Sequence, residues 1–254
     1  MNSLLLFSDE IQNSIATITG EHLAYVQEMH DLSNGQTIPV VVWGKFRGRG
    51  VITQLNKDSI SLEIALDSSI IEREPTTLIV AIPRPQTQKK IIHLATVLGV
   101  KDLHFIRSEN TEKSYLESKS LIPHAIKYEI VKGLEQSYDC MPPTITVHKR
   151  FRPFIEDVLV TALNSTKEPL KVLCDTAEDP LLCINEDALQ SKDSHAFIAI
   201  GPEAGWNDFE REAFKSLGFK SVSLGPRILR CETATSVILA QVALIRELCN
   251  KPSS

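Results

Sequence analysis

Two stretches of this sequence hold glycine and proline in an arrangement that suits ligand chemistry. The first, Phe197-Ile-Ala-Ile-Gly201-Pro-Glu-Ala-Gly205-Trp206, reads as a buried strand running straight into a Gly-Pro-x-x-Gly turn. A glycine turn at the carboxyl end of a parallel strand lets a ligand approach the backbone, and the next helix offers N–H groups with no intrahelical partner. Asn207 with Glu210 three residues later is spaced as a capping box, and Gly218 stands where that helix should stop. The turn is neither G-x-G-x-x-G nor a P-loop, which disfavours triphosphatase and ordinary dinucleotide chemistry. A tight turn that binds nothing remains the alternative.

The second stretch is Val222-Ser-Leu-Gly225-Pro-Arg227-Ile-Leu-Arg230-Cys-Glu232-Thr-Ala234, again a Gly-Pro turn after a short strand. Two such turns could wall one crevice. Arg227 and Arg230 either reach into it or tie the loops to carboxylates such as Glu203 or Glu232. The apolar residues flanking them predict something other than an ordinary surface loop. Cys231 is the one cysteine here that could act as a nucleophile.

Positioning these turns requires an α/β framework. From Thr77 onward, apolar strands alternate with helical periodicity: Thr77–Ile82, Gln86–Leu98, Leu103–Ile106, Ser118–Ser137, Thr144–Val147, Pro153–Asn164, Leu170–Cys174, Ala196–Ile200, Asn207–Leu217, Ser221–Leu224 and Glu232–Leu248. That pattern predicts an open parallel sheet covered by helices. Before it, Thr37–Val42, Gly50–Gln54 and Ser59–Leu66 are β-rich runs separated by turn signals at Asn34-Gly35 and Asn56-Lys57-Asp58, as in a small barrel. The texture changes at Glu72-Arg73-Glu74-Pro75, which divides residues 1–72 from 73–254.

Charge separates the two parts as well. The chain of 254 residues has a net charge of −5, and residues 1–72, with four basic and nine acidic side chains, carry all of it. Three of those four, Lys45, Arg47 and Arg49, fall in one Gly-rich segment, so nucleic-acid contact in this part should centre there. A solvated hairpin is the alternative. The basic window from Arg84 to Arg107 reads as a solvated face. Five cysteines without C-x-x-C spacing argue against a disulfide framework and fit a reducing cytoplasm. Seven histidines show no zinc spacing, so no metal is expected. The apolar run Leu4–Phe7 is too short for a secretory leader, and nothing approaches the roughly 20 apolar residues of a membrane span.

Ile-Gly-Pro-Glu-Ala-Gly-Trp (200–206) followed by Ser-Leu-Gly-Pro-Arg-Ile-Leu-Arg-Cys-Glu-Thr-Ala (223–234) resembles the paired signature of the RsmE family, small-subunit (16S) ribosomal RNA methyltransferases acting on N3 of a uridine. Glu112-Lys-Ser-Tyr115, Gly133-Leu-Glu-Gln136 and Phe151-Arg-Pro-Phe154 match in order. The resemblance implies a PUA-like RNA-binding β-barrel followed by a SPOUT methyltransferase domain. A carboxy-terminal trefoil knot in that domain would bind S-adenosylmethionine and mediate homodimerisation. It further implies that Gly201, Pro202, Glu203, Ala204 and Gly205 form one cofactor loop, and Leu224, Gly225, Ile228, Leu229 and Thr233 the other. Cys174, Asp175 and Thr176 would close the third side.

On this resemblance Arg230 is the first choice for contact with the target uracil or the dimer partner, with Glu203 and Glu232 as weaker candidates for orienting it; Arg227 joins Lys45, Arg47 and Arg49 as an RNA contact. Ala204 replaces a glycine usual in the family and is tolerable only where φ is negative. Basic residues usual near Thr19, Glu28 and Asp139 are missing. The implied partner is ribosomal RNA or the small ribosomal subunit. A non-catalytic RNA-binding or assembly factor that kept the knot is the rival function, and the same chemistry on another RNA is a third.

Overall fold

In the computed structural model, which describes residues 3–67, 70–175 and 194–249, the β-branched runs near the amino terminus pair into one six-stranded sheet. Its strands are β1 (Leu4–Leu6), β2 (Ile11–Gln12), β3 (Ile15–Ile18), β4 (Thr37–Val42), β5 (Phe46–Leu55) and β6 (Ile60–Asp67), in the order β1-β4-β5-β6-β3-β2. Only β1 and β4 pair in parallel. Strand period 2 sorts the side chains of β5: Gly48, Gly50 and Ile52 are buried, while Arg49 and Val51 face out. A Cβ at Gly48 would collide with the Ala65 carbonyl oxygen, so the glycines of this segment serve close strand approach.

Between β3 and β4 lies α1 (Gly20–Met29), a helix absent from the sequence expectation. It anchors through two buried apolar residues, Leu23 and Val26, too few to mark a helical stripe. Together with Leu4, Leu6, Ile18, Val40 and Leu62 they form the core of this unit.

The described residues fall into two compact units, Met1–Glu72 with Ile130–Pro142, and Arg73–Glu129 with Pro143–Ser254. Glu135 explains why the 130–142 segment groups with the first 72 residues, which a single boundary at residue 72 does not express. Its buried carboxylate accepts from Leu5 N (3.0 Å), Tyr25 Oη (2.6 Å) and His30 Nε2 (3.3 Å), and its carbonyl accepts from both the amide and the hydroxyl of Ser3. Tyr138 Oη donates to the Gly48 carbonyl at 3.0 Å.

The second unit is built on β7 (Glu74–Ala81), β8 (Val100–Ile106), β9 (Thr144–His148), β10 (Leu170–Cys174), β11 (Ala196–Ile200) and β12 (Lys220–Val222). Every pairing in the order β12-β10-β11-β7-β8-β9 is parallel, the α/β architecture expected from the alternating pattern. All five residues of β11 are buried, as a strand covered on both faces requires. Strand order reverses between β7 and β11, and the carboxyl edge beside such a switch is where open sheets accept ligands.

The helices are α2 (Pro85–Val97), α3 (Lys113–Leu116), α4 (Pro123–Ser137), α5 (Phe151–Pro153), α6 (Val160–Asn164), α7 (Asp208–Ser216) and α8 (Cys231–Cys249); a π-helical turn, Phe154–Leu159, joins α5 to α6. Helix α8 packs on α2 and β11, with Ile238, Leu239, Val242 and Ile245 buried. Arg246, 4% exposed, fixes α8 to the strand starts: its guanidinium donates to Glu74 Oε2 and Thr76 Oγ1 (both 3.1 Å) and to the Pro75 (2.7 Å) and Ser194 (3.0 Å) carbonyls. Among the described residues, no helix is long and apolar enough to cross a membrane, and no cluster of potential metal ligands occurs.

Candidate functional site

Strand β11 delivers Gly201 to the first turn, and Gly205 N closes that turn on the Pro202 carbonyl at 2.8 Å. The two glycines differ in purpose. A Cβ at Gly201 would lie 3.2 Å from the Trp206 indole, so this glycine admits the tryptophan to the core. Gly205 has φ +75° and open space where a Cβ would project. Ala204 has no positive φ, so its methyl group sits without backbone strain. Helix α7 opens with the expected capping box: Asn207 Oδ1 accepts from Glu210 N at 2.8 Å, and Glu210 Oε2 accepts from Asn207 N at 3.1 Å. Gly218, at φ +82°, follows the end of α7.

The second turn leaves β12 at Val222. Gly225 has φ +119° and no atom within 4 Å of an added Cβ, a backbone shape that glycine adopts without cost and L residues do not. Ser223 Oγ accepts from Gly225 N at 3.2 Å. Strand β10 supplies the third side. There Asp175 N donates to the Val222 carbonyl, and the Asp175 carboxylate accepts from Arg211 Nε at 2.6 Å.

These three sides enclose one cavity of about 670 Å³ at the carboxyl ends of β10, β11 and β12, within the ~300–1,000 Å³ typical of small-molecule sites. Gly201 to Gly205, Leu224, Gly225, Ile228, Leu229, Cys174 and Asp175 all line it, as do Arg227 and Arg230. Thr233 is exposed on the first turn of α8 and does not line the cavity. Thr176 lies outside the described residues. Arg211 also lines the cavity; in the sequence it is one charge on a polar helix face, with nothing to mark it.

The second loop departs from the sequence expectation. Its apolar flanks predict shelter, yet Gly225 to Ile228 are exposed, Ile228 at 92%. Among the described residues nothing covers them. The arginines do not tie the loops to carboxylates either: among the described residues neither Arg227 nor Arg230 has a hydrogen bond or ion pair to Glu203 or Glu232. Glu203 instead accepts from Arg84 N at 3.4 Å, and Glu232 pairs with Lys90 Nζ at 3.1 Å. Burial works against charge on Glu232, but its own amide, Lys90 and the nearby Arg230 hold its carboxyl below the usual range.

Cys231 at the start of α8 is buried, and its thiol donates to the Gly201 carbonyl at 3.3 Å. Burial, followed by the charges of Glu203 and Glu232, pushes it up to about 12. Burial does the same to Cys174, also about 12. Trp206, 2% exposed, packs on Phe214 and Phe151 and belongs to the core. Phe209 in α7, by contrast, is 51% exposed.

In the first unit, Lys45, Arg47 and Arg49 share the β4–β5 hairpin, Lys45 in its turn and both arginines at alternate positions of β5. The Arg47 guanidinium lies over the Tyr138 ring, 5.4 Å from its centroid.

Residues 72–243 match the family model for the RNA methyltransferase domain. The chain is 27% identical over 245 residues to ribosomal RNA small subunit methyltransferase E of Treponema pallidum, covering 95% of this chain and 90% of that protein. To the Synechocystis protein of the same name it is 28% identical, covering 96% and 78%. It shares the fold of the Neisseria gonorrhoeae ribosomal RNA small subunit methyltransferase E crystallised with S-adenosyl methionine, with a TM-score of 0.74, 21% identity and coverage of 97% and 98%. With more than half of its length matched by the domain model, and the two Gly-Pro loops inside the matched residues, the chain belongs to the RNA methyltransferase domain family.

Proposed function

We propose that this protein transfers the methyl group of S-adenosylmethionine to N3 of a uridine in small-subunit ribosomal RNA. The observation that carries the proposal is the convergence of both Gly-Pro loops on one cavity, where Gly205 and Gly225 each leave open the space a Cβ would fill. Backbone amides at such positions can hold a ribose and an amino-acid moiety. Ile200, Leu224 and Leu229 offer apolar packing for an adenine. The names of the curated relatives support the RNA class.

When bound, the cofactor would supply an electrophilic methyl on a sulfonium: the N3–CH3 bond would form as the S–CH3 bond breaks, its electron pair staying on a neutral thioether and the N3 proton passing to solvent water. The protein's part is alignment and charge. Arg230, exposed and lining the cavity, has no carboxylate bond among the described residues, which supports a role in stabilising negative charge on a uracil carbonyl as N3 loses its proton. Glu203 and Glu232 hold the loops through Arg84 and Lys90. Because N3 is on the pairing edge, the base must enter unpaired.

In this account the first unit is a PUA-like RNA-binding module using Lys45, Arg47 and Arg49, and Arg227 adds a phosphate contact. Residues 1–72 and 73–254 are its two functional domains, and α8 completes a trefoil knot. Exposed Ile228, Leu244 and Leu248 support a homodimer in which a second copy covers the loop. Calorimetric titration with S-adenosylmethionine tests the cofactor assignment: binding that is lost in Gly225→Val supports it, and no binding by the wild-type chain refutes it.

A further inference from the structure

A second concavity of about 540 Å³ opens at the carboxyl ends of β8 and β9, on the same edge of the parallel sheet as the first. Parallel pairing makes its floor: Arg107, which follows β8, donates its amide to the carbonyl of His148, which ends β9. Lys149 and Arg150 come next in the chain, and Arg152 lies in α5. None of these four cations has a carboxylate partner among the described residues. One exposed carboxylate, Glu109, stands among them.

The other acid of the groove, Glu210, is 2% exposed. Its carboxylate is consumed by Ser108 Oγ (3.1 Å), Glu109 N (2.8 Å) and Asn207 N (3.1 Å). The wall is therefore rigid and the surplus charge positive. At its rim Phe209 is half exposed, with the Arg152 guanidinium 4.9 Å from its ring centroid and Phe151 edge-on at 6.1 Å. Asn110 Nδ2 donates to the Gly205 carbonyl at 3.2 Å, joining this groove to the first Gly-Pro loop.

Uncompensated cations along a concave track, interleaved with an exposed aromatic face, fit a single strand: phosphates follow the charge and an unstacked base finds a π-face. We propose that this groove holds the single-stranded RNA flanking the target nucleotide, with phosphates on Arg107, Lys149 and Arg150 and one base against Phe209 and Arg152. The proposal rests on the RNA-methylating function above and adds where the strand enters. It also accounts for the Phe151-Arg-Pro-Phe154 motif, whose two phenylalanines face the core while Arg152 faces the groove.

The test measures binding of a short single-stranded oligouridylate to the full chain across a salt series, for wild type, Lys149→Ala/Arg150→Ala, Phe209→Ala and Phe209→Trp. Thermal melts check folding, and titration with S-adenosylmethionine runs in parallel. Removing two phosphate contacts should weaken binding at least about 10-fold and make the log–log salt slope shallower by about 1.4. Phe209→Ala should weaken it about 5- to 100-fold, the worth of one stacked base, and Phe209→Trp should restore it. Cofactor affinity should not move. Unchanged RNA affinity and slope in the double variant would overturn the proposal. So would polyglutamate competing as well as the oligonucleotide, which would mark an acidic protein surface as the occupant. A wild-type chain that binds RNA through the groove but neither binds S-adenosylmethionine nor methylates would refute the methyl-transfer function and leave the groove standing.

Discussion

The thiol of Cys231 donates to the carbonyl oxygen of Gly201 at 3.3 Å, joining the start of α8 to the end of β11 in the lining of the cavity between the two Gly-Pro loops. This bond, with burial that lifts the thiol to about 12, keeps the one cysteine of the second loop protonated at neutral pH. Covalent attack on a uracil ring carbon needs a thiolate, so the geometry favours direct methylation of nitrogen.

Two adjacent residues therefore respond in opposite ways. Cys231→Ala should keep most of its methyl-transfer activity and lose about 1 kcal/mol of stability with the hydrogen bond. Arg230→Ala should lose most of its activity, at least about 10-fold in kcat, with cofactor affinity kept. Rate assays with calorimetry check both; an inactive Cys231→Ala beside an active Arg230→Ala would reject the mechanism.

The glycines of the two loops should separate by phenotype. Gly201→Ala presses a methyl group against Trp206 and should lower the melting temperature, at a cost of about 1–3 kcal/mol for overpacking. Gly225→Val meets no atom but is strained at φ +119°, and should abolish cofactor binding. Melting curves with and without S-adenosylmethionine distinguish them, because a ligand that binds only the folded state raises the melting temperature.

Ile228, 92% exposed, and Leu244, 54% exposed, should be covered by a second copy of the chain. Light scattering should give a mass near twice 28.3 kDa at micromolar concentration, falling toward one chain in Ile228→Asp/Leu244→Asp. A single-chain mass for the wild type would remove the shared loop from the account.

Acid should weaken the second unit through its partly buried histidines. His104 Nδ1 lies 3.0 Å from His148 Nε2, and both rings pack on Phe154. Burial, followed by the charge of His148, lowers His104 to about 4; burial also lowers His148. The folded state binds protons less readily than the unfolded one, so this contribution is complete above about pH 6.5 and lost as pH falls toward 4. Stability measured over that window should fall less steeply in His104→Gln than in wild type.

What the sequence made legible was local. The Asn207–Glu210 capping box, the stop at Gly218 and the strands Leu170–Cys174 and Ala196–Ile200 follow from neighbouring residue types, and the structure has them. The cavity lining was legible for the same reason, since each wall is one short motif. Features assembled by pairing were not. Arg107 and Lys149 become neighbours only because β8 and β9 are adjacent. Glu135 reaches Leu5 across 130 residues, and no periodicity announces such a contact.

The central claim is tested most directly by mass spectrometry of small-subunit ribosomal RNA nucleosides from cells with and without this gene, joined to primer extension on the same RNA. N3-methyluridine should be present at one site that stops reverse transcription, and both signals should vanish with the gene and return with wild type but not with Arg230→Ala. An unchanged N3-methyluridine content in cells lacking the gene would contradict the account.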